Sequence, residues 1–520
     1  MPSKRSEPVD DPPLSKRSKD APTSGELQYP GYKIPKDGLK LDTIRIPTTS
    51  EEKRYFFENY VSARKPCKFT EASGSFNWDL LRPNRIKKTL GNEVLQIEKK
   101  SDGGFGSGSK RVSMKFHDFI NELLNGNKDL YLTTQYAEHD IEGQQTEDED
   151  GTFSENEDYE EEHSTDEGET AFPENVSEAG SMDSINFDDL HDDFEDMNDD
   201  ENDLEGEESN YLEDNISTVK ELYQPPLDTL ISDIPEQLDF LKLVPQQINL
   251  WVGSASEKDD NQSFLLDFDP KDNKLGLGRN VPGGGSSSGL HHDHADNIYI
   301  PVNGHKRFTL FGPSDVDKMY TVGNVDELYD TGIINYIRDE MAPKWSKLRP
   351  DGAIQTQYLQ YVLDKHDLPE EAKKSYRKLL NCELQKENVS CSDDNAILDP
   401  PSFSKIPPTV VHLDKVHDKD LRQSIESIAR EKWPKFFSAH RVSVDLKPGE
   451  MLYLPTGWFH EVTSFGSNDN NKQGQDIHVA VNYWLMPPTG GSVDQMYIDD
   501  YWNHYFKGVS NALRQVRETE

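Results

Sequence analysis

The run Leu290–Ile300 combines residue types and spacing that can hold a metal ion. Side chains alternate between the two faces of a β-strand, so a strand through this run places His291, Asp293 and Asn297 on one face. A His and an Asp two residues apart can bind the same ion, and a second His from elsewhere completes a two-histidine, one-carboxylate triad. Such a triad leaves coordination positions open for a cosubstrate and O₂.

Two further histidines leave the choice of ligands open at this point. His292 and His294 lie on the opposite face of the same predicted strand and form a second pair that can bind a metal ion. A His-x-Asp spacing also arises often by chance. The motif alone therefore indicates a metal site without establishing one.

The residues that follow predict a β-hairpin that points a lysine inward. Asn303-Gly304 between two apolar runs is the strongest short hairpin signal, and it pairs Pro301 with Lys306. Cross-strand partners share a face, so Lys306 is expected on the side of the metal ligands. A lysine inside a β structure is costly unless it meets an anion, and this face is therefore expected to bind a carboxylate. The alternative is a solvent-exposed lysine beside a turn.

A candidate for the third ligand lies near a second pair of turns. Pro448-Gly449 predicts a turn, an apolar strand follows, and Pro455–Gly457 predicts another bend just before His460. A histidine held at a bend by bulky apolar neighbours can be a rigid metal ligand. Taken alone, the same residue also fits a buried core histidine.

These segments together resemble the JmjC/cupin-like family of oxygenases, and most closely its hydroxylase branch that includes factor-inhibiting HIF. The resemblance spans roughly residues 30–138 and 220–500. It depends on the His-x-Asp motif with an Asn six residues after its His, and on the Gly-x-Lys-Arg-Phe hairpin. A Pro-Gly-x-x-Leu-Tyr-x-Pro-x-x-Trp-x-His run and a closing Val481–Trp484 strand complete it.

The resemblance implies a mainly β fold, a double-stranded β-helix (jelly roll) with flanking helices. It implies Fe(II) as the metal, with His291, Asp293 and His460 as its ligands, and 2-oxoglutarate and O₂ as cosubstrates. The cosubstrate C5 carboxylate is expected at Lys306, with hydroxyl groups from Ser288 and Tyr131. The remaining residues expected around the cosubstrate are Asn297, Asn482 and Trp484.

Composition divides the 520 residues into five regions. We predict a disordered N-terminal tail at 1–26, the first part of the β domain at 27–138, and a disordered acidic insertion at 139–219. The catalytic core follows at 220–500, with a mostly helical insertion at 325–435, and a C-terminal tail at 501–520. Strands are predicted at 67–70, 93–97, 130–136, 248–252, 440–446, 451–455, 460–464 and 477–485, and helices at 51–60, 372–387 and 421–436.

Most of the net charge of −41 belongs to one segment, because residues 141–210 contain 30 Asp and Glu and no Lys or Arg. Such a run of like charge cannot pack and stays solvated. It is either a solubilising linker or a site for basic partners such as histone tails or ribosomal proteins. Strands on both sides of it are needed for one β structure, so we treat it as an insertion.

The N-terminal residues favour a nuclear protein, with the cytoplasm as a further location. Lys4-Arg5 and the basic cluster at residues 16–19 have the spacing of a bipartite nuclear localisation signal. The sequence contains no apolar run long enough to span a membrane and no apolar segment typical of a secretion signal. The three scattered cysteines exclude a disulfide framework and a cysteine-rich zinc finger.

The expected activity is hydroxylation of a protein side chain, with a basic nuclear or ribosomal protein or a histone as substrate. The aspartate ligand and the lack of zinc-finger modules favour it over lysine or arginine demethylation of histones, which is the alternative. A non-catalytic acidic binding protein on the same fold is a third hypothesis. The polar loop Ser467–Asp476 and the insertion at 325–435 depart from the family pattern, so the family's substrate does not transfer. Direct binding to nucleic acid is not expected. A homodimer is the assembly that we expect.

Overall fold

A computed structural model of the chain describes residues 29–35, 40–100, 104–105, 111–135, 207–255, 262–269, 271, 277–387, 399–467 and 476–519. The predicted N-terminal tail with its basic clusters lies outside these residues. The same is true of most of the acidic insertion and of most of the Ser467–Asp476 loop.

The described residues form fifteen strands of 3 to 10 residues. They are β1 Asp42–Ile44, β2 Cys67–Phe69, β3 Val94–Lys99, β4 Arg111–Lys115, β5 Leu130–Leu132, β6 Pro245–Ser254, β7 Ser286–His291, β8 Asp296–Asn303, β9 His305–Phe311, β10 Val325–Leu328, β11 Ile334–Tyr336, β12 Arg441–Leu446, β13 Met451–Leu454, β14 Phe459–Phe465 and β15 Ile477–Leu485.

The helices flank the strands or fill the insertion before β12. They are α1 Ser50–Phe56, α2 Ile86–Thr89, α3 Phe116–Leu124, α4 Glu207–Leu222, α5 Gln355–Lys365, α6 Glu370–Glu387, α7 Pro408–Val411, α8 Lys419–Lys432 and α9 Tyr501–Thr519. No described helix is long and apolar enough to cross a membrane.

Two sheets face each other and form a double-stranded β-helix, as predicted. In the described residues the large sheet has the strand order β1-β2-β13-β8-β15-β6-β5-β3-β4, and the small one the order β12-β9-β14-β7. The chain alternates between the sheets from β6 to β9, and again from β12 to β15. Strands distant in sequence therefore become neighbours, and residues far apart in the chain meet between the sheets.

The alternation of residues along β15 explains which side chains face the interior. Residues 477, 479, 481, 483 and 485 are apolar and join the core outside the large sheet. Ala480, on the other face, packs in a smaller cluster with residues of both sheets, such as Phe308 and Leu452. His478, Asn482 and Trp484 share that inward face. The space between the sheets is therefore partly apolar and partly polar.

The acidic segment interrupts one sheet. Strands β5 and β6 pair directly, with Tyr131 opposite Gly253 and Leu132 opposite Val252, although residues 136–206 separate them in sequence. The predicted end of the insertion at residue 219 falls within α4 and needs correction. Asn215 of this helix donates to Gln515 Oε1 of α9 at 2.7 Å, so the end of the predicted insertion packs against the fold.

The predicted C-terminal tail at 501–520 is also corrected, because residues 501–519 form helix α9. Its buried face includes Trp502, Val509 and Leu513, which pack in the core outside the large sheet. The Trp502 indole also donates to the carbonyl of Asp351 at 3.1 Å. Four-residue spacing of apolar residues gives this segment a face that must be buried.

The single strand predicted through Leu290–Ile300 is wrong, because the chain bends between β7 and β8. The buried carboxylate of Asp296 fixes this bend. It forms an ion pair with Arg64 and accepts hydrogen bonds from Tyr453 Oη at 2.7 Å and the Thr456 amide at 2.9 Å. Simple alternation of faces therefore does not apply across the motif.

The hairpin predicted at Asn303-Gly304 is wrong as well. Strands β8 and β9 belong to different sheets, and Asn303-Gly304 connects the two sheets. Lys306 lies opposite Leu446 of β12 and Ser464 of β14 instead of opposite Pro301. The chain does bend at Gly304, which has φ +71°, but tertiary pairing within the small sheet determines the partners of β9.

Candidate metal centre and cosubstrate pocket

His291, Asp293 and His460 converge, as the resemblance implies. His291 ends β7 and lies directly opposite His460 of β14, while Asp293 reaches in from the bend after β7. The Asp293 carboxylate oxygens lie 3.9 Å from His291 Nε2 and 3.6 Å from His460 Nε2. One ligand atom from each residue lies within 4.8 Å of the other two, which leaves room for one ion between them.

Backbone carbonyls orient both histidines for metal binding. His291 Nδ1 is 3.1 Å from the carbonyl of Gly289, and His460 Nδ1 is 2.9 Å from the carbonyl of Trp458. A carbonyl oxygen only accepts, so each Nδ1 carries the proton and donates it. The lone pair of each Nε2 is then free to bind a metal ion, an arrangement common for histidine ligands.

The electrostatics of the cluster fit a divalent cation. Burial, followed by the proximity of His460, holds the pKa of His291 well below its usual range, so this ligand is neutral. Burial raises the pKa of Asp293, because a carboxylate away from water is unfavourable without a positive partner. A divalent metal ion bound by the three groups removes that cost.

A chain of hydrogen bonds holds the Asp293 carboxylate. Trp251 Nε1 donates to Asn482 Oδ1 at 2.7 Å, Asn482 Nδ2 donates to Asn297 Oδ1 at 3.2 Å, and Asn297 Nδ2 lies 3.5 Å from Asp293 Oδ2. Asn297 and Asn482 thus act on the site indirectly, because they help to position the Asp293 carboxylate. The sequence analysis missed Trp251, although alternation along β6 places it on the face of Asn249.

His292 and His294 point away from the cluster, which decides between the two histidine pairs. His292 Nε2 is 2.6 Å from Tyr336 Oη, and His294 Nε2 is 3.1 Å from the carbonyl of Ile334. Burial lowers the pKa of His292 to about 3, so it is a neutral core residue. Both histidines pack with the hairpin β10–β11 outside the small sheet.

The turn before His460 is tied to the bend that contains Asp293. Thr456 Oγ1 and the Gly457 amide both donate to the Asp293 carbonyl at 3.0 Å. Gly457 has φ +73°, and a Cβ on it would lie 1.9 Å from the carbonyl oxygen of Gly332. Only glycine fits this position, so the conformation of the turn helps to set the position of His460 relative to Asp293.

Lys306 lies inside the fold and lacks an acidic partner among the described residues. Its side chain is 1% exposed, and its Nζ donates to Ser464 Oγ at 2.6 Å and to Tyr131 Oη at 3.4 Å. Burial, followed by the proximity of Lys100, lowers the pKa of Lys306 well below its usual range. An anion bound here would reverse that shift, so the position fits a carboxylate.

Ser288 and Trp484, which the resemblance places around the cosubstrate, are both buried. The Ser288 hydroxyl donates to the Gly289 carbonyl at 2.9 Å and accepts from the Val462 amide at 3.2 Å. Trp484 meets Trp251 edge to face, with ring centres 6.1 Å apart. Ser288 therefore already has partners within the chain, whereas Lys306 has no counter-charge in the part of the chain that the structure describes.

Phe403 is a contact of the metal cluster that the sequence analysis missed. Its ring stacks on His291, with centres 4.7 Å apart and an angle of 9° between the planes. The Arg279 guanidinium lies 4.6 Å from the centre of the Phe403 ring and also forms an ion pair with Asp399. Phe403 belongs to the insertion at 325–435, and no motif in that region distinguishes it from a core residue.

Comparisons with known proteins found a family and two relatives to which the chain is similar. The family model described as Cupin-like domain matches residues 53–489. JmjC domain-containing protein 4 of Schizosaccharomyces pombe is 25% identical, over 94% of this chain and 94% of its own length. Lysine-specific demethylase JMJ32 of Arabidopsis thaliana is 25% identical, over 46% of this chain and 41% of its own length. The similarity does not confirm the factor-inhibiting-HIF branch.

Proposed function

Because the chain belongs to the cupin-like JmjC family, whose members in general are Fe(II)- and 2-oxoglutarate-dependent oxygenases, we propose that it hydroxylates a side chain of a protein substrate. One observation gives the strongest support to the hypothesis that the chain is an oxygenase. The space between the two sheets is faced by the His291–Asp293–His460 cluster. Lys306, which is buried and has no acidic partner among the described residues, faces the same space. A metal ion and a dicarboxylate account for both features together.

Each end of the pocket has its own task. Fe(II) and 2-oxoglutarate, when bound, supply the activation of O₂ that oxidises a C–H bond and yields succinate and CO₂. His291 and His460 offer their Nε2 atoms, and Asp293 offers the negative charge. Lys306 would neutralise the distal carboxylate of the cosubstrate. The apolar cluster around Phe308 and Val462 keeps water away from these charges and strengthens their interactions.

The aspartate in the cluster favours hydroxylation over demethylation, because many lysine demethylases of the family use Glu at this position. The chain also lacks the cysteines of a zinc-finger reader module. Lysine demethylation is the second candidate, and the printed name of the Arabidopsis relative favours it. When the oxidised carbon is an N-methyl group, the same oxidation removes the methyl group.

We propose that the substrate is a basic nuclear protein. The acidic segment at 141–210 has the charge to attract such partners, and the basic clusters near the N-terminus favour a nuclear location. Histones and ribosomal proteins are both in this class.

The test is 2-oxoglutarate turnover by the full chain with Fe(II) and ascorbate, in the presence of fractionated basic nuclear proteins and peptides. We expect the wild type to form succinate, and we expect a particular fraction to increase the amount formed. The matched variants are His291→Ala, which loses a ligand, and His292→Ala, which alters the neighbouring histidine that points away. Succinate should disappear in the first and persist in the second.

Mass spectrometry of the stimulating fraction separates the two candidate reactions. A gain of one oxygen atom on a side chain supports hydroxylation, whereas loss of a methyl group supports demethylation. A wild type that forms no succinate with any fraction, and binds no 2-oxoglutarate in the presence of metal, would support a non-catalytic binding protein instead.

A further inference from the structure

His478 is a buried polar residue to which the oxygenase reaction as described above gives no task. It lies on β15, four residues before Asn482 and on the same inward face. Its side chain is fully buried, and neither ring nitrogen has a hydrogen-bond partner among the described residues. A core histidine normally has partners for its nitrogens, so this one requires an explanation.

The His478 ring lies at the Lys306 end of the pocket, away from the metal cluster. Its centre is 5.4 Å from the centre of the Tyr131 ring, whose hydroxyl accepts from Lys306. A Cβ on Gly253, directly across from His478, would lie 2.4 Å from the Tyr131 ring and 3.0 Å from His478 Nε2. The glycine thus leaves the space that the two rings share.

The surroundings of His478 select an anion over a cation. Lys306 lies nearby, and Lys100 Nζ lies 5.8 Å from the centre of the Tyr131 ring while it donates to the Ser254 carbonyl at 2.6 Å. Burial, followed by the proximity of Lys306 and Lys100, holds the pKa of His478 well below its usual range. When protonated, these two amino groups would repel a metal ion and attract a carboxylate.

A neutral imidazole can serve such an anion directly. It carries one N–H donor and one acceptor nitrogen, so it can donate to a carboxylate oxygen without adding another buried charge. Lys306, Tyr131 and Ser464 supply donor groups at the same place. A carboxylate with several lone pairs is the group that can accept from these donors at once.

We propose that His478 binds the distal carboxylate of the 2-oxo dicarboxylate, together with Lys306 and Tyr131. This inference rests on the proposed function, because it assigns a further residue to the same cosubstrate. With this role, His478 favours the binding of 2-oxo acids that have a second carboxylate. A 2-oxo acid without one has no group that reaches the His478 ring. The metal ligands and the Asn297–Asn482 hydrogen bonds have no part in this selectivity.

The experiment measures ligand binding instead of turnover. Isothermal titration calorimetry on the full chain loaded with Mn(II) compares 2-oxoglutarate with oxalate, which binds metal ions but has no distal carboxylate. The variants are His478→Phe, which keeps a ring and removes both nitrogens, and His478→Gln, which keeps a donor and an acceptor. We expect His478→Phe to weaken 2-oxoglutarate binding about 10-fold and to leave oxalate binding within about threefold. His478→Gln should recover most of the lost affinity.

The outcomes distinguish this inference from the proposed function. Equal binding of 2-oxoglutarate by wild type and His478→Phe overturns the role of His478 and leaves the oxygenase proposal standing. Parallel loss of 2-oxoglutarate and oxalate binding in that variant also overturns it, because the effect is then a general structural one. A wild type that binds oxalate but no 2-oxoglutarate overturns the cosubstrate assignment, and the role of His478 with it.

A second measurement does not depend on the His478→Phe variant. In wild-type protein labelled with ¹⁵N-histidine and loaded with Zn(II), 2-oxoglutarate should shift the imidazole signals of one histidine that oxalate leaves unchanged. The spectrum of His478→Gln identifies that histidine. Identical histidine spectra with the two ligands would contradict the proposal.

Discussion

The two ends of the pocket differ in how far the chain itself satisfies their polar atoms. At the metal end, the Nδ1 atoms of His291 and His460 each meet a carbonyl, and Asn297 donates to Asp293. At the other end, Lys306 lacks a described acidic partner and His478 has no described partner for its nitrogens. The metal end is the more exposed one, since His291 and Asp293 are half-buried while Lys306 and His478 are buried, so exposure to solvent does not explain the difference.

This contrast indicates two ways of building a binding site. The metal end is oriented by outer contacts before its ligand arrives, as metal sites usually are. The other end keeps a buried lysine without an acidic partner and a buried histidine without hydrogen-bond partners, both within the described residues, at a cost in stability that a bound carboxylate would remove. Substitutions at the first end should therefore lower metal affinity. Substitutions at the second end should lower 2-oxoglutarate affinity and leave metal binding intact.

The largest effect is expected from Asp293→Ala, which removes the negative ligand. Affinity for Co(II), followed by its visible absorption during titration, should fall by more than about 100-fold, beyond the loss typical of outer contacts. 2-Oxoglutarate binding should be lost in parallel, because the cosubstrate needs the metal. If this variant retains metal affinity within about 10-fold of the wild type, the proposed difference between the two ends of the pocket is wrong.

His292→Ala is the matched control for that substitution. It lies next to Asp293 in sequence but contacts Tyr336 outside the small sheet. Its loss removes the hydrogen bond with the Tyr336 hydroxyl and part of the buried packing around it, which should cost about 1–3 kcal/mol of folding stability. Co(II) affinity should stay within about threefold of the wild type, and a larger drop would return His292 to the list of candidate ligands.

Lys306→Met should affect the other end of the pocket and nothing else. The affinity for 2-oxoglutarate should fall about 100-fold, or about 3 kcal/mol, because the distal carboxylate loses its charged partner. The ligand-free protein should be equally stable or slightly more stable, since the substitution removes a buried amine that has no acidic partner among the described residues. Calorimetry with Mn(II)-loaded protein and thermal unfolding without ligand measure the two effects.

Lys68→Met is the control for charge alone. Lys68 lies on β2 and forms an ion pair with Glu450 at 2.6 Å, away from the interior. Its removal should leave 2-oxoglutarate affinity unchanged. If Lys306→Met weakens Co(II) binding as strongly as it weakens 2-oxoglutarate binding, the two ends are not independent and the comparison is wrong.

Asn482→Leu tests the outer contacts of the metal end and should have an intermediate effect. It breaks the hydrogen bonds that run from Trp251 through Asn482 to Asn297 and so loosens Asp293. Loss of an outer contact of this kind typically lowers metal affinity about 10–100-fold. The Co(II) titration measures it, with Asn215→Leu on α4 as a control. An unchanged metal affinity would return Asn482 to a role in lining the cosubstrate pocket.

Much of the fold was predictable because periodicity is local. Alternating apolar residues predicted β15 with the observed bounds, and the predicted helix at 372–387 differs from α6 by two residues at its start. The acidic run was treated as an insertion because strands on both sides were needed, and β5 and β6 do pair across it. The tail predicted at 501–520 was wrong, because apolar residues recur there at helical spacing and residues 501–519 form α9.

The site was predictable for a different reason, since short motifs fix its residues more reliably than pairing rules do. The inward position expected for Lys306 agrees with the structure, although the hairpin used to derive it does not exist. Likewise Asp293 joins His291 through a bend that Asp296 holds, and not through one strand. Trp251 and Phe403 were missed because their contacts depend on tertiary packing. His478 was within reach, because alternation along β15 places it beside Asn482.

Ser288→Ala should have the smallest effect on 2-oxoglutarate affinity, and it tests the boundary between the two ends. The resemblance implies that this hydroxyl helps to hold the C5 carboxylate, yet its proton is donated to the Gly289 carbonyl and its oxygen accepts from the Val462 amide. A group already paired within the chain gains little from a new partner, so the affinity should fall by no more than about threefold. Calorimetry on Mn(II)-loaded protein measures it beside Lys306→Met. A loss of about 10-fold or more would mean that the hydroxyl turns towards the ligand. Ser288 would then belong with Lys306 and His478, among the groups that the cosubstrate completes.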